Sequence, residues 1–210
     1  MPLPTADFSL FLAAALIVAA VPGPGIFYVA ARTLSEGRKA GTASTLGTAL
    51  GGLVHVIAGG LGISALILAS AQAFAVLKFA GALYLIWLGI RAFREAGPLP
   101  LATTKPTGRA RAFREGIVVE ATNPKTAAFF LAFIPQFVEP GQGSVALQFA
   151  LLGAISVALN TAADIAVVFA AARARGTLIR RPSLIRRLRQ GSGAVICGLG
   201  VSLVFARRTA

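Results

Sequence analysis

Long apolar stretches separated by short polar segments dominate the pattern of this chain. A helix needs about 20 mostly apolar residues to cross the hydrocarbon core of a bilayer. Six stretches meet or approach that length, and they are predicted near Phe8–Ala31, Ala40–Ala69, Gln72–Phe93, Gly116–Val138, Val145–Ala172 and Ser192–Ala206. The pattern therefore predicts an all-α membrane protein with six transmembrane helices, forming a single transmembrane domain over residues 1–210.

Two of the predicted spans contain a break near their middle. The first is interrupted by the segment Val21-Pro22-Gly23-Pro24-Gly25, and the fourth by Thr122-Asn123-Pro124-Lys125. Proline removes a backbone donor and clashes with the preceding turn. Irregular backbone at membrane depth is tolerated only where it faces protein or a cavity. A structural kink without a ligand is the alternative interpretation.

Each break lies in the first span of a half that contains three spans. This placement predicts an internal repeat. The first repeat covers residues 7–94, a loop covers residues 95–115, and the second repeat covers residues 116–208. Because three is an odd number, the second half enters the membrane in the opposite direction, as in inverted-repeat transporters. The pattern therefore predicts a substrate site near the midplane, formed by Pro22, Gly23, Pro24, Gly25, Asn123, Pro124 and Lys125. A helix beginning near Gly25 would favour a carboxylate, because helix N-termini attract anions.

Basic residues occupy alternate connections. Most of the 20 lysines and arginines lie in the first, third and fifth connections, and the second and fourth contain none. The positive-inside rule predicts that the basic connections are cytoplasmic and that both termini are outside. In the fifth connection, Arg180, Arg181, Arg186, Arg187 and Arg189 alternate with apolar residues. From Ser183 this segment is predicted either as a short amphipathic helix on anionic lipid or as a plain topology signal.

The composition supports a membrane protein and excludes several other classes. Apolar residues make up 56% of the chain and charged residues 13%, about half the charged share of a soluble domain. The net charge of +13 lies between spans, so we expect membrane lipid and no nucleic acid as a partner. With one cysteine, Cys197, and one histidine, His55, we expect no disulfide, metal or cofactor.

Charged side chains within spans are costly and usually functional. Glu120 and Asp164 are predicted to exchange protons, although Glu120 could instead be an interfacial anchor. Lys125 and Asp164 have similar depth and opposite charge, so a direct contact between them is predicted, either functional or as a static ion pair. His55 lies on a stripe of small and polar residues in the second span, and it is predicted either to shuttle protons or to bond a neighbour while the stripe packs against other helices. Glycine-rich helix faces could join helices within one chain or between two chains, so a homodimer is a possible assembly.

Several runs resemble the LysE/RhtB family of amino-acid exporters. They are the segment from Pro22 to His55, the segment Gly81–Arg94, the sequence NPKTAAFFLAFIPQF from Asn123 to Phe137, and the glycine-rich tail. The resemblance implies a multi-pass protein of the cell inner membrane that expels amino acids or close analogues, driven by the proton motive force. It also implies that Pro22, Gly23 and Pro24, with Asn123, Pro124 and Lys125, are its signature residues.

The sequence leaves three functions to compare. A proton-coupled exporter of a small zwitterion would rock one inverted half against the other around the midplane site. A cation or metal-ion exporter would need several acids, histidines or methionines facing one cavity. This chain has one histidine, one methionine at its start and two or three acids within spans, so this alternative fits less well. A membrane enzyme would need a nucleophile–base pair, and His55 has no cysteine or carboxylate in its own span, so no enzyme is expected.

Overall fold

All regular structure in the described part of the chain is helical. The computed structural model describes residues 5–95, 108–174 and 182–205. The helices are α1 Thr5–Ala20, α2 Pro24–Glu36, α3 Arg38–Ala69, α4 Ala71–Arg94, α5 Arg109–Ala121, α6 Pro124–Ala128, α7 Val145–Arg173 and α8 Pro182–Phe205. A π-helix covers Phe129–Phe133, and 3-10 turns cover Ile134–Phe137 and Pro140–Gln142.

The membrane-protein prediction is confirmed. Five helical segments, and up to six when α1 and α2 count as one bent span, are long and apolar enough to cross a membrane. Residues 96–107 of the predicted loop over 95–115, the basic positions Arg180 and Arg181, and the C-terminal residues 206–210 lie outside the described residues. The inverted relation of the two halves stays a prediction.

The first predicted break is present. Helix α1 ends at Ala20, α2 begins at Pro24, and the two are bent by 43°. Proline suits the first turn of α2, where its missing N–H would have no intrahelical partner. Helix α2 ends at Glu36, and Gly37 adopts a φ of 87° before α3 begins. A positive φ is accessible to glycine without a steric penalty, so the chain can turn sharply there.

Two predicted boundaries were wrong. The fourth span begins at Arg109 rather than Gly116, and the sixth begins at Ser183 rather than Ser192. The predicted separate amphipathic helix from Ser183 is therefore the first part of α8. In both cases the helix extends into a basic segment, because long arginine side chains can keep their charges in water while their stems cover apolar surface.

Helix packing gathers most of the described basic residues at one end of the bundle, here called the basic end. They lie near the ends of α2, α4 and α7 and near the starts of α3, α5 and α8. Helices α3 and α5 run parallel and approach closely, since a Cβ on Gly116 would lie 2.7 Å from the Ser44 carbonyl oxygen. Helices α4 and α8 run antiparallel, and a Cβ on Gly89 would lie 2.6 Å from the Gly193 carbonyl oxygen. Small residues permit such close helix contacts in membranes.

The stripe of small and polar residues in α3 packs against other helices, as predicted, and one of its partners is α7. Gly52 faces Val157, and Gly59 faces Phe149. Helix α3 thus packs on α5 and α7, whereas α4 packs mainly on α8. Both groups combine helices from the two predicted halves, so the halves interlock rather than lie side by side.

Candidate functional site

The two breaks lie against each other in the middle of the bundle. A Cβ added to Gly23 would lie 3.1 Å from Cε of Lys125, and one added to Gly25 would overlap Oε2 of Glu120. Glycine at both positions therefore lets the side chains of the fourth span approach the first break. The structure brings together the two segments that the sequence singled out.

Lys125 bridges the two breaks. Its side chain is 4% exposed, and its Nζ donates hydrogen bonds to the carbonyl oxygens of Val18 and Val21, both at 2.9 Å. The Val18 carbonyl would normally accept from residue 22, but Pro22 has no N–H. The Val21 carbonyl is freed because the helix is interrupted. The ammonium of the second break thus satisfies carbonyls that the first break leaves open, at the negative end of α1.

His55 serves the second break in the same way. Its Nε2 lies 2.9 Å from the Glu120 carbonyl oxygen, and because a carbonyl only accepts, Nε2 carries the donated proton. That carbonyl lacks its usual helical donor because residue 124 is proline, although the Asn123 N–H also reaches it at 3.0 Å. The contact gives His55 a role in holding the break, while its predicted proton shuttling stays a prediction.

Glu120 lies within the bundle. It is 8% exposed, and its carboxylate accepts hydrogen bonds from Asn123 Nδ2 at 2.8 Å and Thr126 Oγ1 at 2.6 Å. The fourth span begins seven residues earlier than predicted, and the Glu120 carboxylate bonds Asn123 and Thr126 rather than Arg114. Its proton exchange stays a prediction. The Asn123 side chain also caps α6, since its Oδ1 accepts from the Lys125 N–H at 3.1 Å.

Asp164 lies across a small polar pocket from the break. It is 5% exposed, and one carboxylate oxygen accepts a hydrogen bond from Thr48 Oγ1 at 2.7 Å. Within the described residues Lys125 and Asp164 form no ion pair, so the predicted direct contact was wrong. The reason is that the Lys125 ammonium turns toward the carbonyls of α1 instead.

The polar pocket is small. Its volume of about 20 Å³ suffices for about one water molecule. Besides Glu120, Lys125 and Asp164, its polar walls come from Thr48, Asn123, Thr126, Asn160 and Thr161. Two carboxylates therefore face one water-sized space, with amide and hydroxyl groups around it.

A much larger cavity of about 570 Å³ extends from the breaks to the basic end. Lys125 lies at its inner end, and Arg32, Arg91 and Arg189 lie at its mouth with Glu95. Its walls are largely apolar and include Phe27, Leu88, Val119 and Ile196. Of the three donors of the Lys125 ammonium, two are used, and the third has no acceptor among the described residues. The cavity thus leads from the basic end to a buried cation.

The sequence pattern did not predict a network at the cavity wall. The buried Arg32 guanidinium forms ion pairs with Glu36 and Glu115. The Tyr28 hydroxyl donates to the Ala112 carbonyl oxygen at 2.8 Å. The spacing of Arg32 and Glu36, four residues apart in one helix, was the available signal. The link to Glu115 depends on the packing of α2 against α5.

The predicted site residues divide between the two spaces. Pro22, Gly23, Pro24 and Pro124 line the large cavity, and Lys125 lines both. Gly25, Glu120, Asn123 and Asp164 line the polar pocket. His55 lines neither of these two spaces. Within the described residues no group of three or more His, Cys, Asp or Glu side chains could hold a metal ion.

Comparison with known proteins identifies the family of this chain. The family described as LysE type translocator matches residues 16–207. An uncharacterized membrane protein of Vibrio cholerae is 33% identical over 94% of this chain and 96% of its own length. The homoserine/homoserine lactone efflux protein of Salmonella typhimurium is 32% identical over 94% of this chain and 95% of its own.

A more distant relative is the leucine efflux protein of Salmonella choleraesuis, which is 25% identical over 70% of each chain. No solved structure matches this chain significantly. The family match covers both breaks, the buried lysine, the last part of the first span and the other five spans. The chain is therefore a membrane transporter that belongs to the LysE translocator family.

Proposed function

We propose that this protein exports amino acids or close analogues across the inner membrane. The main support is the large cavity, which ends at the buried Lys125 ammonium. Among the described residues, one of the three N–H donors of this ammonium has no acceptor. A carboxylate is a strong acceptor for such a charged donor. Two relatives whose names specify homoserine and leucine efflux support an amino acid as the compound transported.

The charge distribution supports export as the direction of transport. The positive-inside rule assigns the basic end to the cytoplasm, so the large cavity opens toward the side from which an exporter takes its substrate. In this conformation Pro22, Gly23 and Pro24 form one wall near Lys125, and Pro124 forms another. The substrate carboxylate binds Lys125 there, together with the first turn of α2, whose N-terminus carries a partial positive charge.

Proton exchange is assigned to the polar pocket. Glu120 and Asp164 both face its water-sized space, and Lys125 lies between that space and the cavity. A substrate bound at Lys125 therefore changes the electrostatic environment of both carboxylates at short range. Asp164 is the stronger candidate of the two, because Glu120 already accepts two hydrogen bonds and Asp164 accepts one.

Alternating access requires two groups of helices that move relative to each other. The packing of α3 on both α5 and α7 joins the two predicted halves, and α4 packs mainly on α8. Rocking of one predicted half against the other would separate α3 from α5 and α7, and α4 from α8. We therefore assign the motion to the α4–α8 pair, which forms one side of the cavity through Leu88 and Ile196.

The test is an export assay in cells that overproduce the protein. Relative to an empty-vector strain, overproducing cells should retain less of at least one amino acid and tolerate its toxic analogues better. A panel of toxic metal ions serves as the comparison for a cation exporter. Unchanged amino-acid retention and tolerance across a broad panel would contradict the proposal, and increased metal tolerance would favour the cation alternative.

A further inference from the structure

A third hollow adjoins Lys125, and it is apolar. Its volume is about 10 Å³, and apart from Lys125 every lining residue is apolar: Val18, Val21, Leu85, Phe129, Phe133, Ile196 and Leu199. Lys125 and Ile196 also line the large cavity, so the two spaces share a wall. The apolar hollow is closed by the rings of Phe129 and Phe133, which stack with their centroids 5.2 Å apart.

Lys125 is thus the meeting point of three chemically different spaces. The large cavity leads to the basic end, and the polar pocket is lined by Glu120 and Asp164. The apolar hollow is lined by hydrocarbon side chains apart from Lys125. An α-amino acid carries three matching groups on one carbon: a carboxylate, an ammonium and a side chain. With the carboxylate on Lys125, the ammonium is attracted to the two carboxylates, and the side chain is left with the apolar hollow.

We propose that the hollow closed by Phe129 and Phe133 receives the side chain of the exported compound and selects amino acids with apolar side chains. The inference rests on the proposed export function and narrows its substrate class. A polar side chain placed there would lose its hydrogen bonds to water without replacement. Asparagine, which resembles leucine in shape, is therefore excluded, whereas leucine is accepted.

The hollow has to widen when a substrate enters, and its walls suit such a change. Phe129 and Phe133 lie on the π-helix, a geometry that occurs often at functional sites. Leu85 belongs to α4, and Ile196 and Leu199 belong to α8, the pair to which the motion is assigned. Movement of that pair away from the π-helix opens the hollow toward the end of the bundle opposite the basic end.

The experiment measures transport of alanine, valine, leucine, asparagine and phenylalanine into everted membrane vesicles. Phe133→Leu and Phe133→Ala enlarge the hollow and should raise phenylalanine transport relative to alanine by about tenfold or more, the usual effect of small size changes in an apolar pocket. Leu199→Phe fills the hollow and should lower leucine relative to alanine by a similar factor. The matched control is Phe149→Leu, because Phe149 is a buried ring outside this hollow, and it should leave both ratios unchanged.

Each outcome distinguishes the inference from the function on which it rests. If the wild-type protein transports neither these five amino acids nor any other amino acid, the proposed function is wrong. If it transports them but asparagine equals leucine, or the Phe133→Leu and Leu199→Phe proteins keep the wild-type ratios, the side-chain assignment is wrong. Opposite shifts in the enlarged and filled variants would support it, because loss of structure alone lowers all five rates together.

Discussion

Replacing Lys125 with methionine removes one charge from the point where the two breaks meet. Methionine retains an unbranched apolar chain that can occupy the same space against Gly23, where the lysine stem now packs. What disappears is the ammonium and its hydrogen bonds to the carbonyl oxygens of Val18 and Val21. The substitution therefore separates the charge from the packing.

Two stability effects of Lys125→Met oppose each other. Each carbonyl left without a donor costs about 1–3 kcal/mol. Removing a buried charge also removes its desolvation penalty, which is on the order of several kcal/mol. We therefore expect the variant to fold and to reach the membrane in amounts similar to wild type.

The effect on transport is not offset in this way. A hydrogen bond to a charged group contributes about 1.5–3 kcal/mol, which corresponds to a roughly 10- to 150-fold change in affinity. The half-saturation concentration of the exported amino acid, measured in everted vesicles, should rise by that factor in Lys125→Met. Lys78→Met is the matched control, since Lys78 lies in α4 outside the three spaces around Lys125. A wild-type half-saturation concentration in Lys125→Met would refute the assignment of the carboxylate to this ammonium.

Substitutions at three further positions test the surroundings of the breaks. Gly25→Ala would place a methyl group on the Glu120 carboxylate, so the melting temperature in detergent should fall, whereas Gly62→Ala, which meets no atom within 4 Å, should leave it the same or higher. His55→Ala removes one hydrogen bond to the Glu120 carbonyl, which keeps the Asn123 N–H, so it should cost about 0.5–1.5 kcal/mol. His55→Gln should recover part of that loss in the same melting assay. Equal melting temperatures for the two His55 variants would show that the hydrogen bond is unimportant. In Asp164→Asn the amide oxygen can still accept the hydrogen bond from Thr48, so the variant should keep the fold. Its transport should no longer respond to an imposed pH gradient. A wild-type response to the gradient would show that Asp164 does not exchange the coupled proton.

The spans and the first break could be predicted because their signals are local. Apolar length marks a membrane helix, and Pro22 and Pro24 mark an interruption wherever they fall. The starts of the fourth and sixth spans could not be predicted from apolar length alone. Arg109 and Arg189 belong to helices whose basic turns extend past the apolar stretch, so the apolar length underestimates both spans.

The partners of the buried charges were harder to predict. Lys125 and Asp164 share depth and opposite sign, yet the ammonium binds the Val18 and Val21 carbonyls instead. A signal for the first of these was present, since Pro22 takes away the donor that Val18 would have used. Which side chain fills that vacancy depends on how the first and fourth spans pack, and the sequence does not encode this locally.

Thiol labelling tests most directly whether the large cavity is the export route. In a chain without its single cysteine, made by Cys197→Ala, Val119→Cys places a thiol on the cavity wall. The neighbouring Val118→Cys is the control, because Val118 is 61% exposed on the outer surface of the helix and does not line the cavity. A membrane-impermeant maleimide added to everted vesicles should label Val119→Cys but not Val118→Cys, whose thiol faces lipid. The exported amino acid should slow the labelling of Val119→Cys. Labelling of Val119→Cys that no amino acid slows, or no labelling from that side, would contradict the account.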